Sequence, residues 1–156
     1  MVQSTTSTPT AEENSLIPVD DLATMADDFF TAMLGLEFRP EPIEADPDFT
    51  PDLQAVVQIR GEWNADLRIF ASEDLAKRVA AAMFGLSVDD LPPEKVHDAL
   101  GEVANVMGGN VKGFINGDCT LSLPQVGVAK DYAAGCHLTC LCDGSPITIS
   151  WVESTE

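Results

Sequence analysis

The apolar positions from Leu22 onward recur at helical spacing. Leu22, Met25, Ala26, Phe29, Phe30 and Met33 form one stripe, Asp20 and Asp21 precede it where a helix N-terminus favours acids, and Gly35 ends the pattern. The next stretch, from Phe38 to Thr50, carries Pro40, Pro42 and Pro47 among several acids and predicts an edge strand or extended arm followed by a loop. Two runs of period two follow, Leu53 to Ile59 and Trp63 to Phe70, with Arg60-Gly61-Glu62 as the hairpin turn between them. Ser72 is placed to cap a second helix, with Glu73 and Asp74 in its first turn and Leu75, Val79, Met83 and Phe84 along its apolar side up to Gly85. Pro92-Pro93 opens a third helix that runs to about Phe114. Asn116-Gly117 then turns the chain. Three more strands are predicted, Cys119 to Leu123, Cys136 to Leu141 and Ile147 to Val152, the last two joined by the two-residue turn Asp143-Gly144. This order of helix, strands, two helices and strands predicts an α/β (α+β) fold with helices packed on a sheet.

The third helix holds the most information. With residues about 100° apart, Val96, Leu100, Val103, Met107, Val111 and Phe114 share a stripe about 80° wide, which is the face to be buried. Asp98, Glu102, Asn105 and Gly109 fall opposite, within about 60° of one another. Acids and amides on an outward helix face are what solubility alone produces. The glycines weaken that explanation, since Gly101, Gly108, Gly109 and Gly113 each cost a helix interior about 1 kcal/mol relative to Ala. Clearance for an approaching backbone near Glu102 and Asn105 accounts for them, and packing against the sheet accounts for some.

Composition narrows the function classes. The chain has 156 residues, enough for one domain with a real core, and 45% of them are apolar against 22% charged. Residues 1–15 are rich in Thr, Ser and Glu and read as a disordered tail without the basic and apolar regions of a secretory signal, leaving 16–156 as the domain. No apolar run approaches the ~20 residues needed to cross a bilayer, so a cytoplasmic location without membrane insertion is expected. With 26 Asp and Glu against 8 Lys and Arg, the formal net charge is −18. That field disfavours nucleic acid and anionic membranes, and it suits either solubility or a partner that presents a lysine.

Four cysteines fall late in the chain, and Cys136-His137-x-x-Cys140-x-Cys142 invites a metal reading. On a strand, however, the three cysteines share one face while His137 points to the other, so no metal is assigned and the cysteines are read as small buried hydrophobes. Other catalytic machinery is missing too. His97 and His137 are isolated, no Gly-rich phosphate loop with Lys is present, and no nucleophile sits in a recognised setting.

Asp98-x-x-x-Glu102-x-x-Asn105 resembles the helix signature of the CheC/CheX/FliY chemotaxis phosphatases, and Ala99-Leu100-Gly101-Glu102-Val103-Ala104-Asn105 is similar in register to its CheX branch. The segment Ala65 to Gly85 resembles that family's strand-to-helix unit, and Thr120-Leu121-Ser122-Leu123-Pro124-Gln125-Val126 resembles its strand ending in Pro. The resemblance spans roughly Leu22 to Val152. Pro124 lies closer to the Asn than the proline of CheC-type motifs does, and it is not counted as functional.

This resemblance implies a single CheC/CheX-like domain: a mixed, mostly antiparallel sheet of about six strands with three helices. It implies one site per chain, since neither earlier helix carries a second copy of the motif. The implied activity is dephosphorylation of a CheY-like response regulator, in chemotaxis or a related two-component pathway. Asn105 would position the attacking water and Glu102 would pair with the partner's active-site lysine. Asp98 would steer the encounter, and Gly109 would give the partner clearance. No cofactor belongs to the chain itself, because Mg2+ is held in the regulator's site. The alternative is a non-catalytic CheX-like module that binds a receiver domain or a flagellar-switch component. A homodimer is also implied, and the strand carrying Ile147, Ile149 and Trp151 reads as an unguarded sheet edge through which two copies could join.

Overall fold

The computed structural model describes residues 17–44, 49–115, 117–130, 132 and 136–153. The tail expected over residues 1–15 lies outside them. Helix α1 (Val19–Asp27) starts after Pro18 and runs on as a π-helical stretch, Asp28–Met33. Phe30 stacks on Phe38 with ring centroids 5.3 Å apart and meets Phe29 edge-on at 5.2 Å. The wider π turn rotates Met33 off the apolar stripe on which its spacing had placed it, and Met33 is 74% exposed.

Seven strands follow in chain order: β1 (Phe38–Arg39), β2 (Leu53–Gly61), β3 (Ala65–Ala71), β4 (Cys119–Leu121), β5 (Gln125–Val128), β6 (Cys136–Cys142) and β7 (Ser145–Glu153). All pairings are antiparallel in the order β1-β6-β7-β3-β2-β4, with β5 also on β2. The expected α+β class is therefore observed, with one strand more than the pattern gave. Helices α2 (Glu73–Phe84) and α3 (Pro93–Lys112) pack against each other, and α3 lies across β2 and β3. Ala55, Val57, Ile59, Leu67, Ile69, Ile149 and Trp151 supply the sheet's side of this core, and Leu75, Val79, Leu100, Val103 and Met107 the helical side.

Local chemistry explains the joints. Ser72 accepts from the Leu75 N–H at 3.1 Å, as its position predicts, and the Asp52 carboxylate accepts from the Glu73 N–H at 2.8 Å. Arg78 of α2 donates to the Asp143 carboxylate and to its carbonyl, both at 2.7 Å, and so ties the helix to the β6–β7 turn. That turn has φ of +52° at Asp143 and +82° at Gly144, the two left-handed residues of a tight hairpin. The β2–β3 turn sits further along than predicted. Gly61 still belongs to β2, and Trp63 lies in the turn, buried, with its Nε1–H donating to Glu153 at 2.6 Å.

The unguarded edge expected at Ile147–Trp151 does not exist. β7 is an interior strand, paired with β6 on one side and with β3 along its whole length on the other, from Ala71↔Ile147 to Ala65↔Glu153. Its lack of charges and of internal Pro is the mark of a strand buried on both faces, where Thr148 and Ser150 are as fully covered as Ile147 and Ile149. The edges that any second copy could join are β1 and the β4–β5 segment.

Gly61 fixes the far end of β2. Its φ is +142°, and a Cβ there would collide with the Asp118 carbonyl oxygen and stand 2.9 Å from the Cys119 Cα. Gly61→Ala should therefore cost more than about 2 kcal/mol in urea unfolding. Gly85→Ala, at φ +68° with open space around it, should cost about 1 kcal/mol.

Candidate functional site

Along the β4–β5 segment the ladder with β2 is interrupted. Ile59 pairs with Leu121 and Val56 with Gln125, so the two residues Val57 and Gln58 face the three residues Ser122, Leu123 and Pro124. This is a β-bulge with one extra residue. Ser122 holds it in place: its N–H donates to the Gln58 carbonyl at 2.9 Å, and its Oγ accepts from the Gln58 N–H at 2.8 Å. The bulge changes which residues face the helix. Leu121, Pro124 and Val126 point at α3, and Leu123, which strict alternation would have turned inward with Leu121, is 85% exposed.

Two glycines of α3 receive this segment. A Cβ at Gly108 would stand 2.9 Å from Leu121 Cδ1 and 3.0 Å from Val57 Cγ2. One at Gly101 would stand 3.3 Å from Pro124 Cγ and 3.4 Å from Val126 Cγ2. Both glycines thus serve the sheet rather than an incoming partner. Gly109 is exposed, with no atom within 4 Å of its Cβ position, so no packing within the fold calls for a glycine there. Gly113, just past the helix, meets its own Asn110 carbonyl.

Between α3 and the bulge lies an open groove of about 470 Å³, lined by His97, Asp98, Gly101, Glu102, Asn105, Pro124 and Val126. The helix brings Asp98, Glu102 and Asn105 together as their spacing predicts. Asp98 and Glu102 are exposed, and Asn105 is half-buried toward the groove. Gly109 lies one turn further along the same face, outside the groove lining. Among the described residues, neither the Glu102 carboxylate nor the Asn105 amide is engaged by another side chain or by the backbone. Pro124, not counted as functional from the sequence, lines the groove together with Asn105. The signal that could have found it is Gly101, whose missing side chain makes room for the ring.

Two free carboxylates and a free amide can bind a cation and orient a water, but the groove holds no nucleophile with its base. The cysteines lie elsewhere. Cys140 and Cys142 face the core, where burial pushes their thiols up to about 11 and about 12. Among the described residues no three His, Cys, Asp or Glu are grouped to hold a metal ion.

The family model described as "Chemotaxis phosphatase CheX" matches residues 53–142, more than half of the chain and all of the groove. The chain belongs to the CheX family. Solved CheX structures share its fold. CheX from Desulfovibrio desulfuricans is 18% identical with a TM-score of 0.65, over 88% of this chain and 100% of that one. The CheX–CheY–BeF3–Mg2+ complex from Borrelia burgdorferi matches at 17% identity and a TM-score of 0.68, over 86% and 96%. FliY from Thermotoga maritima matches at 16% and 0.58, over 85% and 84%. No curated protein is found to match the chain. No described helix is long and apolar enough to cross a membrane.

The raised thiols set a pH dependence. In the unfolded chain they ionise near 9, and in the fold only near 11 and 12, so the unfolded state loses its protons first. Stability from these groups is complete below pH 9 and declines as pH rises from about 9 to about 12. Urea unfolding at pH 8 and pH 10.5 should show this decline, and Cys140→Ala with Cys142→Ala should reduce it.

Proposed function

We propose that this CheX-family chain is a phosphatase for a CheY-like response regulator and that Asn105 positions the attacking water. The observation that carries the reading is the pair Glu102 and Asn105, one turn apart on α3, beside an open groove, with no partner within the described chain. The chemistry asks for little more. Hydrolysis of an aspartyl phosphate forms a bond from a water oxygen to phosphorus and breaks the bond to the aspartate, which leaves as a stable carboxylate. No general acid is needed, so the missing ingredient is a water held in line.

An amide suits that task, since its N–H donates to the water and its carbonyl accepts from it. Glu102 pairs with the regulator's active-site lysine and fixes the depth of docking, and Asp98, at the end of the same exposed row, adds to the field that steers the lysine in. The regulator supplies Mg2+, as the composition of the Borrelia complex supports. Gly109 leaves room for the docked surface. A homodimer belongs to the same reading; it must leave α3 facing outward, so that each copy takes one regulator.

Asn105→Ala should reduce phosphate release from an acetyl-phosphate-loaded regulator by about 100-fold or more while the melting temperature and regulator binding stay near wild type. Activity within about twofold of wild type contradicts the water-positioning role. Turnover that is absent from the wild type, with binding intact, would instead favour a non-catalytic receiver-binding module.

Glu102→Lys should weaken binding to the beryllofluoride form of that regulator by about 100-fold, because it sets two cations against each other in a desolvated contact. Binding as tight as wild type by calorimetry removes the lysine pair.

A further inference from the structure

We propose that Leu123, the extra residue of the β4–β5 bulge, is an apolar contact for the docked receiver domain and sets its affinity. The inference rests on the proposed function and adds a residue that neither the helix signature nor the groove lining contains. The fold has no use for this side chain. It is 85% exposed, while both neighbours are held: Ser122 through its two hydrogen bonds to Gln58, and Pro124 against Gly101. The backbone of Leu123 is therefore fixed and presents a large apolar group to water beside the wall of the groove.

Its position decides between chance exposure and use, since single exposed leucines are ordinary on a protein surface. Leu123 immediately precedes Pro124, which lines the groove together with Asn105. A partner that seats a lysine against Glu102 and an acyl phosphate beside Asn105 meets the Pro124 wall of the same groove, and Leu123 is the residue next to that wall. The groove itself offers carboxylates and an amide, which orient a partner but gain little from desolvation. An apolar contact at the rim contributes affinity and excludes water from the Glu102 pair, so that its attraction is less screened. Bulges re-aim side chains next to active sites, and here the extra residue turns Leu123 off the helix side and out to solvent.

The test uses the full chain and an acetyl-phosphate-loaded CheY-type receiver that it dephosphorylates. Leu123→Ser should raise KM for that receiver about tenfold with kcat within about twofold, because it removes an interaction made equally in the ground and transition states. Kd for the beryllofluoride-loaded receiver should rise by the same factor, Leu123→Met should restore both, and the melting temperature should not move. Met33→Ser, at another exposed apolar residue outside the groove, should change none of these. A KM and Kd within twofold of wild type, where Glu102→Lys weakens binding, overturns the Leu123 contact and leaves the site standing. A fall in kcat at unchanged KM also overturns it. If neither Leu123→Ser nor Glu102→Lys alters binding, the reading of the groove as the docking site fails with it.

Discussion

The close approach of the β4–β5 segment to helix α3 at Gly101 is the contact on which the site depends. A Cβ at 101 would stand 3.3 Å from Pro124 Cγ and 3.4 Å from Val126 Cγ2, so the groove wall would have to give by a few tenths of an ångström. Helix propensity alone argues against glycine here by about 1 kcal/mol, and at Gly108 by as much again. Both positions are buried against the sheet, and the approach that they allow brings Asn105 and Pro124 to one groove. The bulge at Ser122–Pro124 completes this arrangement, since without the extra residue Pro124 would point away from α3.

Much of the architecture was legible because the elements that carry it are amphipathic on their own. The α3 stripe from Val96 to Val111 is buried, and the row Asp98, Glu102, Asn105 and Gly109 stays clear of that core. The cap at Ser72 and the turn at Asp143-Gly144 follow from side-chain and backbone chemistry that acts within a few residues. What was not legible depends on contacts between distant segments. β5 exists because Gln125–Val128 pairs with Leu53–Val56, and its own short sequence with a central glycine gives no period-two signal. β7 became an interior strand through a ladder to β3 that joins residues about eighty positions apart, which no local pattern can report. The π turn that exposes Met33 and the bulge that exposes Leu123 each add a residue to a regular count, and a periodicity argument assumes that count is constant.

The chemistry divides between what the chain has and what a receiver brings. The chain contributes carboxylates and an amide on a rigid helix, held by a core that includes Leu100, Val103 and Met107 directly beneath them. It has no nucleophile and base in the groove. In the proposed reaction a phosphorylated receiver would supply the scissile bond, the lysine and the metal, and the two half-sites would be complementary in charge as well as in function. In that reading the formal charge of −18 would attract the receiver's lysine, and it is screened over about 8 Å at physiological ionic strength.

Whether the complex turns over is decided by a single-turnover experiment. The receiver is labelled at its aspartate with radioactive phosphate, freed of phosphodonor, and mixed with an excess of the wild-type chain in the presence of Mg2+. The account predicts that the first-order loss of label rises with chain concentration and saturates well above the receiver's own hydrolysis rate, with inorganic phosphate as the product. A receiver that binds the chain stoichiometrically and loses its label at its unassisted rate contradicts the account.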